Sequence, residues 1–380
     1  MKCFRKELVL MFVQTVFIVS VVLFSVIPFS CKATEQGIEI IGGDYENPYI
    51  TNIEVVNQNT LQMDFSDTVT LKKSVLSPFI DNISDSSENS EILKLSPSLS
   101  AACGEYGYLE SIHKVSDDGK TITFLLENEM NPGKKYEVFG MVEDAAGNSL
   151  TFCVPFVGYN ARIPKLIITE AQIKYSSGSV KGTQVFRAEY IELLICEDGN
   201  LAGLELWSAE DGENKKFVLP AIEVKKGEII LVHPRKKENG CINEIGDDLN
   251  LATAEHSKQG IRDLWSSQEK ACYHDERDVI YILNSYNNSI LDAVFYNSSD
   301  LENWKSKQMD IVKKTVREGI CSSESIKDAA NSSGATALRS LTRINASEIY
   351  EKVINNKGID FPLVFNASDW AVTKVSPGEI

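Results

Sequence analysis

Histidine and closely spaced cysteine, from which many metal and acid–base sites are built, are scarce in this chain of 380 residues. It holds four histidines, and none of its eight cysteines stands in Cys-x-x-Cys spacing, so no zinc or dithiol redox motif is predicted. Gly-x-Ser-x-Gly, Gly-x-x-x-x-Gly-Lys-Ser/Thr and Gly-x-Gly-x-x-Gly are absent as well. The nucleophile elbow, the phosphate loop and the dinucleotide fingerprint are thereby excluded.

Positive charge is also in short supply. Lys and Arg number 38 against 54 Asp and Glu, a formal charge of −16, so general binding of nucleic acid or anionic lipid is not expected. Only one apolar run is long enough to cross a bilayer, which excludes a polytopic membrane protein. The remaining composition, 43% hydrophobic and 24% charged, is ordinary for globular domains, and the length accommodates two of them.

The first 30 residues have the order of an export signal rather than of a folded unit. A basic start that includes Lys2 and Lys6 precedes an apolar run over residues 8–27, and Ser30-Cys31 follows. A small residue followed by cysteine, directly after an apolar run, resembles the lipobox of bacterial lipoproteins, in which the cysteine is acylated and becomes the new N-terminus.

This resemblance implies lipidation at Cys31, with residues 1–30 as the signal peptide and residues 31–47 as a tether. Pro28 and Phe29 depart from the usual Leu-Ala/Ser. The alternative is an uncleaved anchor, because about 20 apolar residues suffice to span a bilayer. Both interpretations place the rest of the chain outside the cytoplasm. The lipoprotein resemblance further implies a bacterial cell envelope, with the chain facing the periplasm or the cell surface.

Period-two alternation in residues 48–158, as in Leu61, Met63 and Phe65, predicts a β-sandwich. The segments NTLQMDFSDTV and DDGKTITFLLENEMNPGKKYEVFGMVEDAAGNSLTF resemble the bacterial immunoglobulin-like domains of exported proteins, which implies a spacer or adhesive module. We expect Asp144 to bond its own turn, with Gly147 at positive φ. A calcium site is the alternative, but calcium takes about six or more oxygen ligands and few are at hand.

The order of motifs in residues 164–380 resembles the lamin-tail domain, a second immunoglobulin-like sandwich. The matching pieces are Ile-Ile-Thr-Glu, Tyr-Ile-Glu-Leu, Leu-Ala-Gly-Leu-Glu-Leu, Ile-Leu-Asp-Ala-Val, Ser-Leu-Thr-Arg, Asp-Trp and Ser-Pro-Gly. The predicted fold is therefore all-β, with two sandwiches in tandem. Residues 235–278 and 297–335 exceed what the family needs, and we interpret them as a polar loop and as a helix capped by Asp300 and ending near Gly319.

Two acidic residues of these motifs, Glu170 and Glu192, are flanked by apolar residues. In the second motif Tyr190 and Glu192 share one face of the strand, because side chains alternate. The carboxylates are candidates for a functional role. The alternative, which we favour, is that they accept hydrogen bonds from backbone at strand ends or pair with Arg339 or Arg343.

The cysteines of the exported part permit disulfides. Cys153 and Cys196 lie in apolar strand patterns and fit small buried residues. Cys241 and Cys272 lie in polar loop sequence, so we predict that they form a disulfide that clips the 235–278 insertion.

The same insertion contains Trp265, which is either a recognition anchor or a residue that packs the loop onto the sandwich. It also contains His256 and His274, but the spacing between these histidines and the cysteines matches no zinc pattern.

These features predict a lipid-tethered envelope protein that acts as a non-catalytic binding or structural module. It would need no metal or cofactor and would bind the membrane through the lipid on Cys31. Its other partner would be an envelope or extracellular protein or a glycan, not nucleic acid. The alternative is an exported metal-dependent hydrolase with its site in residues 235–278.

Overall fold

The computed structural model describes residues 46–78, 109–210, 212, 216–237, 239–268, 273–298 and 301–380, and the backbone of residues 30–34 and 37–41. The predicted all-β class is confirmed, because this part of the chain consists mainly of strands arranged in two sandwiches. Strands β1 (Ser30–Thr34) and β2 (Gly37–Ile41) form a hairpin that includes the backbone of Cys31. The rest of the predicted signal, residues 1–29, lies outside the described residues.

The first sandwich packs a four-stranded sheet on a three-stranded sheet. Its strands are β3 (Ile50–Asn57), β4 (Thr60–Phe65), β5 (Val69–Pro78), β6 (Ser111–Val115), β7 (Thr121–Leu126), β8 (Lys135–Asp144) and β9 (Ser149–Val157). The sheet orders are β3-β4-β7-β6 and β5-β8-β9. The alternating residues of β4 and β7 point inward, so that Leu61, Met63, Ile122 and Phe124 have no exposed surface.

Two expectations for this sandwich have opposite outcomes. The Asp144 carboxylate accepts hydrogen bonds from the backbone N–H groups of Ala146 and Asn148, both at 2.8 Å, and Gly147 has φ +90°, as predicted. Cys153, expected to be buried, is exposed. The alternation of β9 directs Phe152 and its period-two neighbours into the core, which leaves Cys153 on the opposite face.

The second sandwich packs a six-stranded sheet on a five-stranded sheet. The strands of the six-stranded sheet are β10 (Leu166–Gln172), β13 (Tyr190–Ile195), β18 (Ile229–His233), β19 (Arg262–Trp265), β23 (Arg339–Arg343) and β24 (Trp370–Lys374). The five-stranded sheet comprises β15 (Leu204–Ser208), β16 (Phe217–Val218), β20 (Arg277–Asn284), β21 (Ser289–Asn297) and β22 (Ala330–Asn331). Two small pairs complete it: β11 (Ser176–Val180) with β12 (Thr183–Arg187), and β14 (Gly199–Asn200) with β17 (Glu223–Val224).

The six-stranded sheet, in the order β19-β18-β13-β10-β23-β24, is covered on both faces. Its inner face joins the main core through residues such as Ile168, Ile191 and Leu193. On its outer face, helix α2 (Ala346–Ile354) packs Ile349 and Val353 on one end of the sheet. This double burial explains why β10 and β13 are buried along their whole length.

The insertions contain more structure than the sequence indicated. Residues 235–278 contribute β19, which pairs in parallel with β18 and extends the sheet. In the second insertion, helix α1 (Ser306–Arg317) begins later than predicted, with Lys305 rather than Asp300 at its N-cap. Its start is fixed by Gln308, whose side-chain oxygen accepts the Lys305 N–H at 3.1 Å. Short 3₁₀ turns follow at Ile326–Asp328 and Ala367–Asp369.

The predicted connector, residues 158–164, is bonded to both sandwiches. The Gly158 carbonyl accepts the Gly133 N–H at 3.0 Å and the Tyr286 hydroxyl at 2.9 Å. The buried amide of Asn160 donates to two carbonyls of the second sandwich, at 2.7 and 2.9 Å. The two units are therefore held in one orientation by directional bonds as well as by a short connection.

Candidate functional site

The outer face of the six-stranded sheet carries a buried polar cluster at the end opposite to α2. A β-bulge between Ile168 and Glu170 shifts the register, so that Glu170 lies directly opposite Glu192 on the neighbouring strand. Both residues are 1% exposed. Directly opposed residues of an antiparallel pair have Cβ atoms about 5 Å apart, so the fold places two carboxyl groups side by side in its interior.

Hydroxyl groups and backbone N–H groups surround these carboxyls. Glu170 accepts hydrogen bonds from the hydroxyls of Tyr190 (2.6 Å) and Ser340. Glu192 accepts the Thr169 hydroxyl at 2.7 Å. The carboxyls also accept backbone N–H groups, as the sequence suggested, but these belong to Ser376 and Gly378 of the distant C-terminal segment rather than to nearby strand ends.

The predicted pairing with arginine is wrong. Arg343 bonds Asp292 at 3.0 Å, and Arg339 donates to the Val372 carbonyl. Asp292, in the facing sheet, is 1% exposed, so Arg343 is committed to a second buried acid rather than to the carboxyl pair.

Burial controls the protonation of Glu192. Desolvation, followed by the neighbouring Glu170, raises the pKa of Glu192 to about 8. Desolvation and Glu170 also raise the pKa of the Tyr190 hydroxyl. Glu192 is therefore mostly protonated at neutral pH, and this allows two acidic side chains to stay adjacent away from water.

The C-terminal segment, residues 376–380, closes over the carboxyls. The Ser376 hydroxyl donates to Glu170 at 3.0 Å, and the Gly378 N–H donates to Glu192 at 2.7 Å. Glu379 pairs with Lys258 of the insertion at 2.6 Å. The Ser-Pro-Gly motif is thus part of the cluster, although some 200 residues of chain separate it from the acids.

Trp265 lies inside this region rather than on the surface. It is 5% exposed and stacks on the His233 ring, with centroids 3.7 Å apart and planes 4° apart. His233 in turn bonds the buried Asp263 at 2.6 Å. In this conformation the indole packs the insertion onto the sheet, which is the second of the two roles that the sequence left open.

The histidines of the insertion do not converge. His256 contacts the Tyr190 ring and bonds the Ala188 carbonyl at 3.0 Å, and burial lowers its pKa. His274 accepts the Glu276 N–H within its own turn. Within the described ranges, no three His, Cys, Asp or Glu side chains come together to hold a metal ion.

A single buried acid organises the insertion loop, which we define as residues 241–252. The Glu244 carboxylate, 1% exposed, accepts the backbone N–H groups of Leu251, Ala252 and Asp263, each at 2.9 Å. Arg262 donates to the carbonyls of Glu244 and Gly246, both at 2.8 Å. The loop is therefore tied to β19 by backbone bonds at several points.

The described thiols of the second sandwich lie inside. Cys196 is buried, as predicted, and burial raises its pKa to about 12. Cys241 is 4% exposed and packs with Trp265 and three alanines. Its predicted disulfide partner, Cys272, lies outside the described residues, so this pairing stays a prediction.

An open cleft of about 750 Å³ lies at the junction of the sandwiches. Its lining includes the exposed side chains of Val56, Val157 and Val218, and also Tyr159 and Tyr286. Glu54, Glu205 and Lys135 line it as well, so the cleft combines apolar surface with a few charged side chains.

Residues 164–372 match the model of a family described as "TP_1001_2nd: protein second domain". An uncharacterized protein of Treponema pallidum (strain Nichols) is 26% identical over 175 residues, which are 46% of this chain and 42% of that protein. The chain thus matches less than half of the length of this relative. In the described residues, neither helix is long and apolar enough to span a bilayer.

Solved structures give only distant likenesses. The N-terminal part of the bacterial S-layer protein SbsC is 14% identical, with 40% of this chain and 41% of that chain covered, at a TM-score of 0.22. A DUF4876 family protein from Bacteroides thetaiotaomicron is 12% identical, with 61% and 75% covered, at a TM-score of 0.21. TM-scores this low do not establish a shared fold.

Proposed function

We propose that this chain, which belongs to the family described as "TP_1001_2nd: protein second domain", is an exported, lipid-tethered protein of the bacterial cell envelope. In this proposal it binds or supports a partner without catalysing a reaction and needs no cofactor. The first sandwich is a bacterial immunoglobulin-like spacer, and the second is a lamin-tail-like domain that carries the binding surface.

The observation that carries the non-catalytic part is that the acid–base groups of the buried polar cluster are closed off from solvent. Glu170, Glu192 and His233 are each at most 1% exposed, and each is bonded to groups of the same chain. A general acid or base must come within hydrogen-bond reach of the substrate. These groups lie beneath the C-terminal segment and the insertion, so their role is to hydrogen-bond those segments to the sheet.

The N-terminal sequence supports the tethered location. The basic start, the apolar run over residues 8–27 and the Ser30-Cys31 pair stand in the order of a lipoprotein signal. A lipid on Cys31 would hold the chain at the membrane, and the bonded connector would keep the second sandwich at a fixed angle to the first. This arrangement suits a protein whose second sandwich presents a binding surface to a partner in the envelope.

Lipid labelling tests the location. Cells that express the full chain are grown with a clickable fatty acid, and the purified protein is examined for label and for partition into detergent. Wild type should be labelled, and Cys31→Ala should carry no label. Cys153→Ala, which removes an exposed thiol of the first sandwich, is the matched control and should keep the label.

An unchanged Cys31→Ala protein would refute the lipid tether and favour an uncleaved anchor.

Metal analysis tests the non-catalytic part. Zinc bound at one equivalent, and lost when His256 and His274 are both replaced by alanine, would refute it in favour of a metal-dependent hydrolase.

A further inference from the structure

The insertion loop, residues 241–252, displays aliphatic side chains on a backbone that is already fixed. Ile242, Ile245 and Leu251 are 38, 59 and 44% exposed. The Leu251 backbone lies beside the Glu244 side chain, because its N–H donates to the Glu244 carboxylate at 2.9 Å. Three exposed aliphatic residues thus stand on one short loop whose interior combines the bonded Glu244 carboxylate with the packed side chains of Cys241 and Ala252.

The fixed backbone matters for binding. Ordering a flexible loop costs free energy on association, and a loop held in advance avoids that cost. Glu244 and Arg262 supply this support from beneath, with 1 and 8% of their surfaces exposed. These bonds fix the backbone on which Ile245 and Leu251 are exposed.

We propose that the insertion loop is the docking surface for a partner protein whose contact face combines apolar pockets with a lysine- or arginine-rich rim. This inference deepens the function proposed above and rests on its binding role. Asp247 and Asp248 are exposed between the aliphatic residues, and the whole chain carries a formal charge of −16. Both features attract a cationic face and direct its approach.

The loop chemistry disfavours the other occupants. An anionic lipid surface would be repelled by Asp247 and Asp248. A glycan would be expected to stack on aromatic rings, and residues 241–252 contain none. A cationic protein face satisfies the acids at the rim of the contact and the aliphatic side chains at its centre.

Binding is measured with the full chain in phosphatidylcholine nanodiscs and with three fluorescent peptides of equal length. These alternate lysine with leucine, glutamate with leucine, or lysine with serine. The lysine–leucine peptide should bind at least about ten-fold more tightly than the other two, because only it offers both charge and apolar side chains. Replacing Ile245 and Leu251 together by serine should weaken its binding about ten-fold.

The matched control replaces Ile112 and Val115 by serine on the exposed edge strand β6, where they are 65 and 44% exposed. This variant should bind like wild type. Equal weakening in the two serine variants would overturn the proposal, because it would mean that any pair of exposed aliphatic residues contributes equally to peptide binding. Unchanged binding in the loop variant would overturn it as well.

The proposal would also fail if the insertion loop contacts the lipid bilayer instead of a protein. Leu251→Trp in nanodiscs that contain brominated phosphatidylcholine should show no quenching of the new indole beyond that of wild type. Added quenching would assign the loop to the membrane. These results do not depend on acylation of Cys31, so a failed lipid tether and a failed docking loop remain separate findings.

Discussion

The interiors of the two sandwiches differ in chemistry. In the described part of the first, Thr60 is the only buried polar side chain, and the core is aliphatic and aromatic. The second buries Glu170, Glu192, His233 and Asp292 beside an equally apolar inner core. Apolar burial is non-directional, whereas each buried polar group requires a partner in a defined place. The second interior therefore specifies which segments meet, and the first mainly excludes water.

The largest expected effect is at the buried ion pair of the second sandwich. Arg343→Met leaves Asp292 without its arginine at 1% exposure. Removing one member of a buried pair costs about 3–5 kcal/mol, because the remaining charge is buried without compensation. Urea unfolding should show this loss in the free energy of unfolding, with hydrogen exchange accelerated in the second sandwich.

The matched control for this change replaces both members, Arg343→Met with Asp292→Asn. Loss of both charges removes the uncompensated group, so the double variant should be more stable than Arg343→Met alone. If the double variant is as unstable as the single one, the pair is not what distinguishes the two interiors.

A disulfide would sharpen the contrast by adding a covalent link to the second sandwich. A Cys241–Cys272 bridge would close a loop of ~30 residues and stabilise the chain by roughly 3–4 kcal/mol in the chain-entropy model. Mass spectrometry of unreduced peptides should find the linked pair, and Cys272→Ser should lower the free energy of unfolding. Free thiols at both positions would contradict the link.

Local periodicity in the sequence predicts which residues of each strand face the interior. The alternation of Leu61, Met63 and Phe65 predicted the first core correctly, and Tyr190 and Glu192 were correctly placed on one face of their strand. The expected burial of Cys153 was wrong, because its apolar neighbours were weighed without asking which face the residue occupies.

The rest depends on contacts that no local pattern contains. The sequence does not show that Ser376 and Gly378 return to Glu170 and Glu192, since that meeting is set by the path of the whole second sandwich. Strand β19 escaped notice within a polar insertion. The alternation of Leu264 on the inner face with Trp265 on the outer face was the available signal.

The buried carboxyls should make the stability of the second sandwich depend on pH. The pKa of Glu192 is about 8 in the folded chain against a usual 4.5, so its full contribution is present below pH 4.5 and is lost as the pH rises through 8. Between pH 6.5 and 8.5 the free energy of unfolding should fall by roughly 2 kcal/mol. Glu192→Gln should remove most of this fall in urea titrations.

Hydrogen exchange at the two pH values locates the effect. After each rate is divided by the intrinsic exchange rate, which itself rises with pH, acceleration at the higher pH should be confined to the second sandwich, because no carboxyl group is buried in the described part of the first. Equal acceleration in both sandwiches would mean that the titration acts through the net charge of the chain rather than through the carboxyl pair.

The smallest effect compares two glycines at positive φ, one in each sandwich. Gly147 has φ +90°, and a Cβ atom added there would have nothing within 4 Å, whereas at Gly378, φ +74°, such an atom would lie 2.8 Å from Ile261 Cγ1. Gly147→Ala should cost about 1 kcal/mol from backbone strain alone. Gly378→Ala should cost about 1 kcal/mol more, because the methyl group displaces the segment that donates to Glu192.

Thermal melts compare the two glycine variants, and Ile261→Ala combined with Gly378→Ala should recover part of the difference in stability. Equal losses at both glycines, with no recovery, would mean that the C-terminal segment is not held against the insertion.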